Sequence, residues 1–153
     1  MNPKIALLKA NIDADIREIE SLYARLGDYA SAANTEQAIL AGYYLHNLYN
    51  AFENICFNVA KTFENQLDDR SQWHAVLLKR MTLNVEGIRP RLLSDDVYRC
   101  LDELRRFRHV FRNAYTIELD PQRIENVIAQ AQQLERLYKS DLENFKAYLD
   151  TVA

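Results

Sequence analysis

Apolar residues recur every three or four positions along most of this chain, which is the spacing of one face of an α-helix. Only three Gly and three Pro interrupt its 153 residues, too few turn-forming residues for a fold of many strands. No stretch alternates apolar and polar residues over the length of a strand. The pattern predicts an all-α bundle of four long helices and one short helix, in a single domain spanning residues 1–153.

Breaks in the apolar pattern and capping residues predict where the helices begin and end. The expected helices cover residues 3 to about 30, about 35 to 65, the short segment QWHAVLLKRM, about 95 to 115, and about 121 to 150. The expected N-caps are Asn34 or Thr35, Ser71, Ser94, and Asp120 followed by Pro121. Between the short helix and the fourth, Gly87 and Pro90 exclude a continuous helix.

Several classes of site and location are excluded by missing signals. Cys56 and Cys100 lie at apolar helical positions without a C-x-x-C partner, so we expect free buried thiols in a reducing, cytoplasmic setting. No E-x-x-H or H-E-x-x-H motif is present, and no metal or other cofactor is expected. Trp73 and His74 are assigned to packing and capping. The longest apolar runs are about four residues, too short to predict a membrane span or signal peptide.

The charge is unevenly distributed. The chain carries a net charge of −3. Between Val76 and Arg112, however, nine basic residues stand against five acidic ones. Such a segment is either a solvated helix face or a patch that contacts phosphates, and its composition alone leaves both readings open.

Arg108 lies at the edge of the apolar face of the fourth helix. Burying a guanidinium without a partner is costly, so Arg108 should reach a carboxylate, a second subunit or a ligand phosphate. The alternative is an arginine whose aliphatic part packs against the core while its charged end reaches water.

The second helix carries a polar flank that could face this arginine. His46, Asn50, Glu53 and Phe57 fall on one side of it, and four asparagines occur there within twelve residues. Asparagine is a mediocre helix former, so this density favours a structured contact over a plain solvated face, which is the alternative. Glu53 is the expected partner of Arg108.

Asn113 follows Arg108 by five residues, which is about 140° around a straight helix. The two side chains cannot share one site on one rigid helix. They can converge if the helix ends or bends near Asn113, or if two copies of the helix meet across a two-fold axis.

The residues around Asn113 resemble a known family. The HEPN superfamily, and within it the HepT-like ribonuclease toxins, has an Arg, four residues, a His, one residue and a Tyr near the end of its fourth helix. Here the pattern reads Arg108, HVFR, Asn113, Ala114, Tyr115. The segments HNLYNAFENI at 46–55, WHAVLL at 73–78 and LRRFRHVFR at 104–112 extend the similarity across most of the chain.

This resemblance implies a metal-independent endoribonuclease that acts as a two-fold homodimer with a shared cleft, cutting an RNA substrate such as tRNA or mRNA. Arg108 would hold the scissile phosphate and the motif His would exchange a proton. The family resemblance also implies a partner, a minimal nucleotidyltransferase antitoxin that can transfer AMP to the motif tyrosine, here Tyr115. Site support would come from Asn50, Glu53, Arg105, His109 and Arg112.

Asn113 departs from the family pattern where the pattern has His. An amide does not titrate near neutral pH, so acid–base catalysis, usually worth about two to four orders of magnitude, should be lost. Two origins are open, a decayed paralogue or a deliberate replacement that allows a toxic ribonuclease to be produced; the intact remainder of the motif favours the second. His109, about one turn before Asn113, is a weak substitute.

The sequence thus predicts an endoribonuclease toxin silenced at Asn113. The first alternative is a non-enzymatic HEPN-like module that binds nucleotide or a nucleotidyltransferase. The second is a helical interaction bundle without a site.

Overall fold

In the computed structural model, which describes residues 2–64, 73–113 and 120–153, the chain forms five α-helices. They are α1 (Pro3–Gly27), α2 (Thr35–Phe63), α3 (Trp73–Arg80), α4 (Asp95–Arg112) and α5 (Pro121–Val152). None of the described residues belongs to a strand, and an isolated bridge joins Val85 to Arg89 between α3 and α4. The predicted all-α bundle of four long helices and one short helix is confirmed.

Local hydrogen bonds explain why α2 begins where it does. Asn34 is its N-cap, and Oδ1 of Asn34 accepts a hydrogen bond from the backbone N–H of Gln37 at 2.9 Å. The Gln37 side chain in turn accepts from the backbone N–H of Ala33 at 3.0 Å. Two otherwise unpaired backbone donors are thereby satisfied, as in a capping box. Of the two caps predicted from the sequence, the structure selects Asn34.

The caps of α4 and α5 are also as predicted. Ser94 caps α4, and both its backbone N–H and its hydroxyl donate to Asp141 of α5 at 2.8 Å. Asp120 caps α5 through the N–H of Gln122 at 3.0 Å, with Pro121 in the first turn. The expected cap at Ser71 lies outside the described residues.

Helix α2 lies at the centre of the bundle, in contact with each of the other four helices. Its buried residues join those of the other helices in one connected apolar core. The largest fully buried side chains are Tyr49, Tyr138, Phe107, Phe145, Leu8, Ile12, Ile19, Leu45, Leu48, Ile55, Met81 and Leu92. Cys56 and Cys100 are buried and free, as expected, and burial raises the pKa of the Cys56 thiol to about 12.

A glycine brings α4 close to α2 near the C-terminal end of α4. A Cβ atom built on Gly42 would lie 2.8 Å from Cε2 of Phe111 and 3.4 Å from Cζ of Phe107. Phe107 and Phe111 stack on each other with ring centroids 5.7 Å apart. The absence of a side chain at Gly42 therefore fixes how closely the last turns of α4 approach α2.

The segment between α3 and α4 is held by a buried arginine. Arg89 is 3% exposed, and its Nε and Nη2 donate to Oε1 of Glu64, at the end of α2, at 3.1 and 2.5 Å. Its Nη1 donates to the carbonyls of Leu83 and Pro90, both at 3.1 Å. Gly87 has a positive φ of 78°, so this segment turns as predicted and forms no regular helix.

Candidate functional site

Arg108 crosses from α4 to α2 and is only partly exposed. Its Nε donates to Oδ1 of Asn50 at 2.8 Å, and its guanidinium carbon lies 5.9 Å from the centroid of the Tyr49 ring. Within residues 2–64, 73–113 and 120–153, no carboxylate pairs with Arg108 and neither terminal nitrogen has a hydrogen-bond partner. One side of the guanidinium is thus fixed by the protein, while its two terminal nitrogens remain available to a ligand oxygen.

Glu53, the expected partner of Arg108, is engaged elsewhere, so that prediction was wrong. Its Oε2 accepts a hydrogen bond from the Tyr49 hydroxyl at 2.8 Å and lies 2.6 Å from Nδ1 of His74. His74, which sequence reasoning assigned to packing and capping, therefore forms an ion pair with Glu53 when protonated. The pKa of Tyr49 is raised, first by burial and then by the charge of Glu53, so the hydroxyl stays a hydrogen-bond donor.

Asn113 is exposed and caps the C-terminus of α4. Its side-chain nitrogen donates to the carbonyl oxygen of His109 at 2.7 Å, and its backbone N–H donates to the carbonyl of Val110 at 3.2 Å. Its backbone has φ −102° and ψ 10°, and α4 ends at Arg112, one residue before it. Helix α4 thus ends near Asn113, which is one of the two conditions expected for convergence, but no hydrogen bond joins Arg108 to Asn113 in the described part of the chain.

The other cations expected at the site differ in their surroundings. Arg105 is paired with Asp102 on its own helix at 2.9 Å, and Arg106 also reaches Asp102, at 3.1 Å. Arg112 is exposed and pairs with no carboxylate in the described part of the chain. It follows Arg108 by one helical turn and shares its side of α4. His109 is exposed, and Tyr115, the expected site of modification, lies outside the described residues.

His46 is a residue that the predicted site omitted. Its ring lies 5.9 Å from that of Phe111, and its Nδ1 is buried without a hydrogen-bond partner among the described residues. The pKa of His46 is lowered by burial and then by the charges of Arg108 and Arg112. The sequence signal for it was its position on the polar flank of α2, one turn before Asn50.

The basic segment from Val76 to Arg112 does not form one patch. Several of its cations are paired within the fold: Arg80 and Arg89 with Glu64, Arg99 with Asp96, and Arg105 and Arg106 with Asp102. Arg108 and Arg112 are without a carboxylate partner among the described residues, and both lie at the C-terminal end of α4. Lys79 and Arg91 are also exposed cations, on α3 and in the segment that follows it, whereas Arg108 and Arg112 lie one helical turn apart and could meet the same phosphate.

Among residues 2–64, 73–113 and 120–153, no three His, Cys, Asp or Glu side chains are grouped as ligands for a metal ion. In the same ranges, no helix combines the length and the apolar character that crossing a membrane requires.

Comparison with known protein families gives a match to part of the chain. No curated protein and no solved structure matches the chain. The model of a family described as HepT-like protein matches residues 40–149, which begins within α2 and ends within α5. That range holds Arg108, Asn50, Tyr49 and Glu53, and it covers well over half of the sequence. The chain belongs to the HepT-like protein family.

Proposed function

We propose that this chain is an RNA-binding toxin module of a toxin–antitoxin pair, with the fold of a metal-independent endoribonuclease and with its acid–base catalysis silenced at Asn113. The observation that carries the proposal is the state of Arg108. Asn50 and Tyr49 orient its guanidinium, and neither of its terminal nitrogens has a partner in the described part of the chain. Such a group suits a phosphate oxygen, and Arg112 adds a second positive charge one turn away.

The proposed chemistry is transfer of an RNA phosphate from one oxygen to another. The 2′-hydroxyl would give up its proton to a base as its oxygen bonds to phosphorus. The bond from phosphorus to the 5′ oxygen would break and the departing oxygen would take up a proton, leaving a 2′,3′-cyclic phosphate and a 5′-hydroxyl. Arg108 would stabilise the charge that develops on the phosphate. A group at position 113 would exchange a proton, which the amide of Asn113 cannot do near neutral pH.

The direct test compares the protein as it stands with its Asn113→His variant, using total cellular RNA in EDTA. The variant should cut RNA, and the parent should be slower by about two to four orders of magnitude. Arg108→Ala combined with Asn113→His should remove the gained activity. Arg99→Ala, which changes an exposed arginine paired with Asp96, is the matched control and should leave that activity intact. Failure of Asn113→His to cut any RNA rejects the proposed ribonuclease.

The proposed active form is a symmetric homodimer in which residues of both chains line the cleft. Ile39 and Leu40 support this, since they are exposed apolar residues at the start of α2, about three turns from Asn50. Light scattering at tens of micromolar measures the mass directly. A monomer at that concentration contradicts a shared cleft.

The proposed partner is a minimal nucleotidyltransferase antitoxin. In its reaction the Tyr115 hydroxyl would displace pyrophosphate from ATP, and AMP would be joined to the tyrosine. The added phosphodiester would compete with RNA for the guanidiniums of Arg108 and Arg112. Peptide mass spectrometry, with Tyr115→Phe as control, locates the modification. Complete neutralisation by the antitoxin without AMP on Tyr115 would mean that inhibition is by binding alone.

A second candidate function is a non-enzymatic module that binds a nucleotide or a nucleotidyltransferase. The observation that favours it is that the side-chain amide of Asn113 caps α4 through the carbonyl of His109 and offers no titrating group. Binding of the antitoxin by an Asn113→His variant that cuts no RNA would support this module over the ribonuclease.

A further inference from the structure

An open groove runs between α1 and α2 next to Arg108, with a volume of about 650 Å³. Helix α1 contributes charged side chains to its walls, and α2 contributes aromatic and amide side chains. Asn50 lines this groove and also accepts the hydrogen bond from Nε of Arg108. The groove and the candidate phosphate site therefore share a residue, and a ligand held by Arg108 can extend into the groove.

One wall of the groove is a supported aromatic surface. Tyr43 is 53% exposed, and its ring meets Tyr44 edge to face, with centroids 5.3 Å apart and planes at 70°. Tyr44 stacks in turn on Tyr29 of the α1–α2 connection, at 5.8 Å and 18°. Since Tyr44 is held from behind by Tyr29, the exposed ring of Tyr43 has a fixed neighbour and can receive a flat ligand.

The charges along the groove favour a base over a phosphate. Asp15 and Glu18 of α1 line it together with one cation, Arg25. Asp15 and Glu18 are three residues apart on α1, so their carboxylates are neighbours on one side of that helix. The pKa of Asp15 is raised mainly by burial; a hydrogen bond from Asn54 opposes the rise and the charge of Glu18 adds to it. A phosphate would be repelled by this pair, whereas the amino group of a nucleobase would find acceptors there.

We propose that this groove binds a nucleobase of the RNA strand whose phosphate Arg108 holds. Tyr43 stacks on the base, and Asn47 and Glu18 contact its hydrogen-bonding edge. Carboxylates only accept hydrogen bonds, and the single donor on the pairing edge of uracil, N3–H, lies between two carbonyl oxygens that a carboxylate repels. The groove therefore prefers bases that carry an amino group over uracil. This inference rests on the proposed function, since it takes RNA as the ligand of Arg108.

The protein as it stands is suited to the test, because a silenced enzyme binds RNA without cutting it. Affinity for a fluorescent oligoadenylate of about eight nucleotides, within the usual length of a single-strand site, is measured by anisotropy. Stacking on an aromatic side chain is worth about 1–3 kcal/mol per base, so Tyr43→Ala should weaken binding roughly 5- to 150-fold. Tyr43→Phe should bind like the parent. Val76→Ala removes an equally exposed apolar residue on α3 and should change nothing.

Two further binding measurements test whether the base is the part of the RNA that the groove binds. On an oligonucleotide of the same length made of abasic residues, Tyr43→Ala and the parent should bind equally, because no ring is present to stack. Glu18→Gln should reduce the preference for oligoadenylate over oligouridylate, with Glu103→Gln on α4 as the matched control. If Tyr43→Ala weakened binding of the abasic strand as much as binding of oligoadenylate, Tyr43 would contact the backbone and not a base, and the proposal would be overturned.

Failure of this inference is distinguishable from failure of the proposed function. If Arg108→Ala weakens binding of oligoadenylate and Tyr43→Ala does not, RNA binding stands and the base-binding groove is wrong. If the parent binds no oligonucleotide, both are wrong. If Tyr43→Ala converts a dimer to a monomer in light scattering, the exposed ring is a subunit contact, which also overturns the groove proposal.

Discussion

Arg108 Nε donates a hydrogen bond to Oδ1 of Asn50 at 2.8 Å, and this contact joins α4 to α2 at the candidate site. Because Asn50 is uncharged, this bond does not neutralise Arg108, and neither terminal nitrogen has a hydrogen-bond partner in the described part of the chain. The amide therefore orients the guanidinium and leaves its charge in place, whereas a carboxylate at the same position would neutralise that charge.

Asn50→Ala tests the orienting role of this amide. Arg108 is partly exposed and water can replace part of the lost bond, so we expect a loss of about 1 kcal/mol in the free energy of unfolding. RNA affinity should fall roughly fivefold, because the guanidinium is no longer fixed. Asn58→Ala, two turns further along α2, is the control for helix propensity. Unchanged RNA affinity in Asn50→Ala would show that Arg108 needs no orientation by α2.

His46 should make the stability of the fold depend on pH. Its pKa is lowered in the folded protein, so the unfolded chain binds more protons once the pH falls below about 6.5. The stabilising effect of neutral His46 is complete above that pH and is lost as the pH falls toward the folded pKa. The groups that face His46 from α4 are Arg108 and Arg112, and both oppose its protonation.

Urea unfolding at about pH 7.5 and pH 5 measures this effect. The parent should lose more stability between the two conditions than His46→Gln, which cannot titrate. His109→Gln, a change at an exposed histidine, should retain the pH dependence of the parent. If the stability of the parent and of His46→Gln depended on pH to the same extent, a group other than His46 would be responsible.

The close approach of α2 and α4 predicts that Gly42→Ala changes stability in opposite directions with and without the Phe111 side chain. Gly42→Ala adds a Cβ that would lie 2.8 Å from Phe111, an overlap that typically costs about 1–3 kcal/mol, against a gain of about 1 kcal/mol in helix propensity. We expect the single variant to be less stable than the parent, or at best equal to it. In a Phe111→Ala background the overlap is gone, so the same change should stabilise by up to about 1 kcal/mol. Urea midpoints of the four proteins give the comparison, and equal effects in both backgrounds would exclude steric contact as the cause.

The faces of the helices could be predicted from the sequence, and the pairing along them could not. Caps such as Asn34 and Ser94 act within a few residues of their own chain position, so local sequence is sufficient to find them. Asn50 and Glu53 lie on the same flank of α2, about one turn apart, and the stagger of α4 along α2 decides which of them meets Arg108. The spacing of apolar residues predicts which side of a helix faces the core, but it does not predict how far the helix is shifted along its neighbour. The pairing of Glu53 with His74 depends likewise on where the short helix α3 packs against α2.

The buried pair of Arg89 and Glu64 predicts a loss of stability that is specific to that pair. Arg89→Met leaves the carboxylate of Glu64, only 12% exposed, without its main partner and removes the donors to the carbonyls of Leu83 and Pro90. Breaking a buried ion pair by removing one partner typically costs about 3–5 kcal/mol, and we expect the lower end because Arg80 still lies 3.4 Å from Glu64.

Replacing both partners separates the uncompensated charge from the lost hydrogen bonds. Arg89→Met combined with Glu64→Gln should recover most of the stability, because no buried charge is left unpaired, while the two loop carbonyls still lack their donor. Arg91→Met changes an exposed arginine two residues along and should stay within about 0.5 kcal/mol of the parent. If the double variant is no more stable than Arg89→Met alone, the loss comes from the α3–α4 segment losing its hydrogen bonds, and the ion pair with Glu64 adds nothing to it.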